Sequence, residues 1–302
     1  MQILDHPSRN WTEVVVEAVV RATGYSAILF VGLIMLFLMR EGLPALGEVP
    51  LSSLAGQRWY PIENYFGLLP LIGGSLLVTI GATLLALPLG LGTAIFIAEI
   101  APRWAREVLK PLVEVLAGLP SVVLGFMGFL VLAPAIRVDL NLPTGLTALT
   151  GSLLLAAMAI PTLVSVAEDA LDAVPHSYRD AALALGATHW QTIWRVTLPA
   201  ARAGVLTAVL LGVGRAIGET MTVMMVTGNA ARMPIGLGAL FLPVRTLTAT
   251  IAAEMGEVAK GSPHYHVLFI IGLVLFLLSL VFNLTAGAVV FQQRKRAERL
   301  LS

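Results

Sequence analysis

The chain has 302 residues, 57% of them hydrophobic and only 12% charged, with a mean hydropathy of +0.87. Soluble domains carry about a quarter charged residues, so this composition marks a polytopic membrane protein. A net charge of +1 offers no bulk attraction for nucleic acid, the absence of cysteine excludes disulfides and thiolate chemistry, and the five histidines lack the spacing of a zinc site.

Residues 1–22 do not read as a cleavable signal: the charged region is long and partly acidic (Asp5, Glu13, Glu17), and no small-x-small site follows the apolar run. Trp11, Val14, Val15, Ala18, Val19 and Ala22 share one helical face, opposite Arg9, Glu13, Glu17 and Arg21. Two readings stand: a cytoplasmic amphipathic helix lying on the inner membrane surface, or an extension of the first span. Residues 23–66 then comprise the first span and an outer loop, and residues 67–302 the core of the domain.

A crossing helix needs roughly 20 apolar residues. Charge-free runs occur at Ala22–Met39, Gly67–Ala98, Val115–Ile136, Leu140–Ala167 and Val267–Gln293, and Ala203–Thr227 is interrupted only by Arg215 and Glu219. The expected fold is therefore an all-α integral membrane protein of six transmembrane helices. Pro70, Gly73 and Gly74 suggest that the second run enters as a turn. With the N-terminus inside, twelve lysines and arginines fall on the inner side and six on the outer, which places both termini in the cytoplasm. Trp59, Tyr60, Tyr65 and Phe66, at the end of the outer loop, suit a headgroup belt.

Between the fourth and fifth spans, residues 172–200 read as a cytoplasmic loop of two short helices. Ser177 with Asp180, and Thr188 with Gln191, have capping-box spacing. Gly186 sits where a left-handed stop is needed, and Pro199 limits the second helix. Trp190, Ile193 and Trp194 share a face. The pattern Asp180-Ala181-Ala182, Gly186, Val196, Leu198-Pro199 resembles the EAA loop of permease subunits of ABC importers, with Asp for the usual Glu and Val for the usual Ile. That resemblance implies docking of Asp180, Ala181, Ala182, Gly186, Leu198 and Pro199 on a cytoplasmic ATPase. The chain has no G-x-x-x-x-G-K-[ST] phosphate cradle, so ATP and Mg are expected on partner subunits, and the chain is expected to be a transport subunit with no catalytic, cofactor or metal site of its own.

In the fifth run Arg215 and Glu219 fall four apart, on one helical face. An arginine at bilayer depth costs at least about 2.5 kcal/mol, so it should face protein or water. Either Arg215 offers its donor fork to an oxyanion in a hydrated pathway while Glu219 steadies it, or the two form a buried ion pair for assembly. Gly214 and Gly218 make a G-x-x-x-G face suited to close helix packing. Thr79 and Thr83, and Thr220 and Thr222, are expected to bond back to their own helices, while the break at Pro120–Ser121 offers backbone donors or simply a kink. Glu114 and Glu168 receive no chemistry, and His264 and His266 read as solvated loop residues behind a short outer helix near Thr246–Ala259.

The segments GRAIGETMTVMMVTGN (Gly214–Asn229), LAGLPSVVLGFMGF (Leu116–Phe129) and TLTATIAAEMGEVAKGSPHYHVLF (Thr246–Phe269) are similar to permeases of the phosphate (Pst) importers, the last favouring the C-type subunit. The resemblance implies a type I ABC importer permease of the bacterial inner membrane, with phosphate translocation associated with Arg215 and Glu219. It also implies an A-type second permease, an ATPase dimer and a periplasmic phosphate-binding protein as partners. A permease for sulfate, molybdate or phosphonate, and a secondary transporter or channel, are the alternatives.

Overall fold

A computed structural model describes residues 11–301, without the side chains of residues 12, 237 and 293–301. The proposed amphipathic segment lies partly outside the described residues, which begin after Asp5 and Arg9. From Trp11 to Gly42 the chain is one continuous helix.

Hydrocarbon cannot satisfy backbone polar groups, so long apolar runs become helices. Among the described residues, five are long and apolar enough to cross a membrane: Glu13–Glu48, Leu69–Ile100, Ser121–Asp139, Ala148–Asp172 and Pro263–Gln292. A sixth span forms if His189–Ala200 and Arg202–Gly218 are taken together, although they are bent through 74°. The second and fourth spans pack along one another, and Arg202–Gly218 lies against the fourth. Small residues permit this closeness: a Cβ on Gly81 would come 2.4 Å from Ser152 Oγ. Ser152 ties the pair by donating to Val78 O at 3.2 Å. The first span rests on the last, Pro263–Gln292.

Several local expectations change. Helix begins at Leu69, with Pro70 in its first turn, where a missing N–H costs nothing. Gly73 and Gly74 are therefore helical, and a Cβ on Gly74 would strike Arg245 O at 2.2 Å. The third span starts at Ser121 rather than Val115, because Arg103–Ala117 is a separate helix and Pro120 caps the next. The fourth starts only at Ala148, where Thr147 accepts from Thr150 N.

The outer aromatics divide by strand alternation. Trp59–Tyr60 pairs with Tyr65–Phe66, Trp59 opposite Phe66 and Tyr60 opposite Tyr65, so each pair shares a face. Trp59 and Phe66 are buried with Leu71, Leu247, Val267 and Ile271, whereas Tyr60 and Tyr65 are exposed. The former two are core, not a belt. The short outer helix is Leu247–Glu254, capped by Thr246. The histidines are bound rather than solvated: His264 Nε2 lies 2.8 Å from Glu254 Oε2 and His266 Nδ1 lies 2.7 Å from Glu41 O. Glu254 also meets Arg245 Nη2 at 2.6 Å and accepts from Trp59 Nε1 at 3.1 Å.

Candidate translocation site and coupling loop

Two helix breaks meet inside the bundle. One is Gly118–Pro120, between Arg103–Ala117 and Ser121–Met127. The other interrupts the fifth span: helix ends at Gly218, Glu219 is extended (φ −69, ψ 133), and Met221–Val226 forms a new turn. This corrects the expected geometry of the charged pair. Glu219 lies just past the end of the helix that carries Arg215, so the two do not occupy one helical face, and no ion pair joins them among the described residues.

Arg215 instead bridges three elements. Its Nη1 donates to Thr162 Oγ1 of the fourth span at 2.9 Å, and its Nη2 donates to Ala117 O at the end of the preceding helix at 3.3 Å. A guanidinium carries five N–H donors, so this half-buried fork keeps donors unused by those two bonds. Glu219 turns to the other half-helix, where Oε1 accepts from Thr222 N at 3.4 Å, and its own carbonyl accepts from Thr248 Oγ1 at 3.0 Å. A carboxylate at a helix start is favoured by the helix dipole. Thr222 does not bond back to its own helix but donates to Ser121 O at 2.9 Å, tying one break to the other. Thr83 does bond back, to Thr79 O at 2.8 Å. Among the described residues beyond their own helix, nothing lies within 4 Å of a Cβ placed on Gly214 or Gly218; their small-residue face is open.

The EAA-like loop presents its motif outward. His176–Ala184 is helical and begins after extended Pro175, so Ser177 is already inside the helix and forms no capping box with Asp180. Gly186 adopts φ +83 as its position requires, and the Thr188–Gln191 capping box is complete. Asp180, Ala181, Gly186 and Pro199 are exposed, while Ala182 and Leu198 are half-buried. Pro199 does not stop the second helix. A π turn at Ile193–Thr197 precedes it, and the extra residue displaces the carbonyls its ring would strike; the bend comes at Ala201–Arg202 instead. Ile193 is buried, leaving Trp190 and Trp194 exposed.

Two charged anchors escaped the sequence reading. Arg179, on helix His176–Ala184, donates from Nη2 to Glu99 Oε1 at 2.6 Å and from Nε to both Glu99 oxygens at 3.2 Å. Its other bonds reach Val174 O and Leu171 O at the end of the fourth span, at 2.7 and 2.9 Å. Arg106 donates to Ile97 O and Ala98 O, closing the end of the second span. Behind the loop these groups line a cavity of about 430 Å³ with Asp172, His176, Asp180 and His189. Further in, Lys110 Nζ meets buried Glu168 at 2.7 Å and Asp169 at 3.2 Å. The Glu168 hydrogen bond raises the Lys110 pKa above its ordinary value, with burial opposing. The signal for Arg179 was its partner Glu99, a charge stranded at the end of the apolar run Gly67–Ala98.

Residues 86–296 match the family model described as binding-protein-dependent transport system inner membrane component. The chain is 42% identical over 256 residues to the probable ABC transporter permease protein YqgH of Bacillus subtilis, covering 83% of this chain and 82% of that one. It is 34% identical over 287 residues to the phosphate transport system permease protein PstC of Mesorhizobium japonicum, covering 89% and 86%. A permease-like fold is shared with the bacterial alginate ABC transporter solved in complex with alginate pentasaccharide-bound periplasmic protein: TM-score 0.58, 15% identity, 92% of this chain and 96% of that one.

Proposed function

Because the chain belongs to the family of binding-protein-dependent transport system inner membrane components, we propose that it is one permease subunit of an ATP-driven phosphate importer. It forms half of a pathway completed by a second, A-type permease, with both termini in the cytoplasm. A periplasmic phosphate-binding protein delivers the anion, and a cytoplasmic ATPase dimer binds ATP and Mg. The observation that carries the reading is Arg215, a cation with spare donors held where two broken helices meet. Half-helices and unwound backbone at membrane depth are how transporters present polar groups to a substrate. The phosphate relatives supply the substrate.

Coupling follows from the Arg179 contacts. ATPase closure moves His176–Ala184, and Arg179 passes the displacement to Glu99 at the end of the second span and to the end of the fourth. Those two spans pack along one another and against Arg202–Gly218, which carries Arg215. Arg215 then draws phosphate between the subunits, and its existing bonds to Thr162 and Ala117 share the fork, limiting how tightly the anion is held.

The test is uptake of radiolabelled phosphate by the reconstituted complex, with ATP inside and binding protein outside, against excess sulfate and molybdate. Uptake that needs both components and resists both competitors supports the reading. ATP-dependent uptake of another oxyanion removes the substrate, and flux indifferent to ATP removes the importer.

A further inference from the structure

The fifth span does not enter the bundle directly. His189–Ala200 runs ahead of Arg202–Gly218 at 74° to it. Transmembrane helices tilt by about 20° on average, so an axis turned this far runs closer to the membrane plane than to its normal. One side of this elbow faces the bundle, with Thr192, Ile193, Thr197 and Ala201 all buried. The other side is open.

On the open side, Trp190 and Trp194 are 58% and 46% exposed, their rings edge-to-face at 5.6 Å. Arg195 and Arg202 are also exposed, and their side chains make no hydrogen bond or ion pair with a described residue. Charge is one-sided over a long stretch: no Asp or Glu occurs between Asp180 and Glu219. Exposed indoles suit the layer between hydrocarbon and headgroup, and unpaired arginines beside them suit an anionic leaflet. A protein partner covering this face would have to supply acidic groups and an apolar bed together, whereas an anionic bilayer surface supplies both at once.

We propose that His189–Arg202 is an interfacial elbow that seats Trp190 and Trp194 in the cytoplasmic leaflet and binds anionic lipid headgroups through Arg195 and Arg202. The elbow follows the coupling helix within the same loop, so the leaflet becomes the fixed surface against which that helix moves. The inference rests on the membrane-spanning fold and on the cytoplasmic position of this end, and not on the substrate.

The complete transporter would be reconstituted in phosphatidylcholine–phosphatidylglycerol vesicles in which one lipid or the other is brominated. Emission of the W190F/W194F variant, subtracted from that of the unaltered complex, isolates the two indoles. Brominated phosphatidylglycerol should quench this difference more than brominated phosphatidylcholine, and R195Q/R202Q should reduce the preference by about fivefold for each arginine lost. Equal quenching by the two lipids, or none by either because a protein covers the face, overturns the proposal. Should the tryptophan variant fail to assemble, W194C offers a single labelling site in a chain without cysteine. A nitroxide there should be more accessible to oxygen than to an aqueous nickel chelate, and the reverse order overturns the proposal. Both readouts need no transport, so they stand or fall apart from the phosphate reading.

Discussion

Arg179 holds Glu99 through three hydrogen bonds of 2.6 to 3.2 Å, although the two residues are 80 positions apart. Glu99 closes the second span and Arg179 sits on helix His176–Ala184, so the pair ties the loop directly to the bundle. Both side chains are largely buried, at 14% and 7% exposure. Removing one partner from such a pair leaves an uncompensated charge, at about 3–5 kcal/mol. Arg179→Ala should therefore lower thermal stability strongly, and Glu99→Gln less, since an amide still accepts. In the assembled transporter Glu99→Gln should keep ATP hydrolysis while uptake falls; uptake unchanged in both variants would sink the coupling role.

Arg215 should not be replaceable by lysine. A lysine offers a point donor that cannot reach Thr162, Ala117 and an anion in fixed directions together. A charge-assisted hydrogen bond contributes about 1.5–3 kcal/mol, so Arg215→Gln should reduce phosphate uptake by roughly 10- to 150-fold, with Arg215→Lys intermediate. Initial uptake rates at saturating binding protein provide the comparison, and full activity in the glutamine variant would remove Arg215 from the pathway.

Gly186 tests backbone strain separately from sterics. Its φ is +83, yet a Cβ there would meet nothing within 4 Å. Gly186→Ala should cost about 1–2 kcal/mol purely through the left-handed backbone. Gly186→Asn should recover much of that loss, because asparagine visits this region readily. Denaturation midpoints for the two variants would show the order; an alanine variant as stable as the native chain would contradict it.

The Lys110–Glu168 contact predicts an alkaline limit. The folded pKa of Lys110 is raised, so its contribution is complete below the unfolded value near 10.5 and is lost as pH rises through the folded one. Melting temperature should fall more steeply above that value in the native complex than in Lys110→Met. At neutral pH, Lys110→Met should destabilise by about 1–3 kcal/mol, since it strands a carboxylate only 2% exposed.

Beside the hairpin Trp59–Phe66, Glu254 gathers Arg245, His264 and the Trp59 indole. Glu254→Ala removes all three contacts and should cost more than Trp59→Phe, which keeps the ring but loses one hydrogen bond worth about 1 kcal/mol. Limited proteolysis of the 40–66 loop would report the difference, and equal cleavage rates would argue against a shared anchor.

What was legible in the sequence was whatever physics acts locally. Apolar runs became helices because lipid offers the backbone no partner, and Gly186 and the Thr188–Gln191 box took their expected forms because both are decided within a few residues. The break at Glu219 was not legible: an unbroken helix with Arg215 and Glu219 on one face satisfies the same pattern, and only the fold's use of Thr222 and Thr248 to bind the freed backbone distinguishes them. Thr162, Glu99 and Glu254 lie 53, 80 and 10 positions from Arg215, Arg179 and His264, and spacing along the chain cannot name them. Trp59 was misplaced because a hairpin of two short strands, Trp59–Tyr60 and Tyr65–Phe66, turns alternate aromatics inward.

The interruptions at Gly118–Pro120 and Glu219–Thr220 carry a mechanical consequence. An intact helix resists bending because every turn shares in its hydrogen-bond ladder, and tilting one half against the other breaks bonds. Here the ladder is already open at both places. A rocking motion therefore meets only the side-chain clasps of Arg215, Thr222 and Thr248, which can exchange one acceptor for another. On the proposed function, the two halves would act as stiff levers joined by a soft pivot, placed beside Arg215.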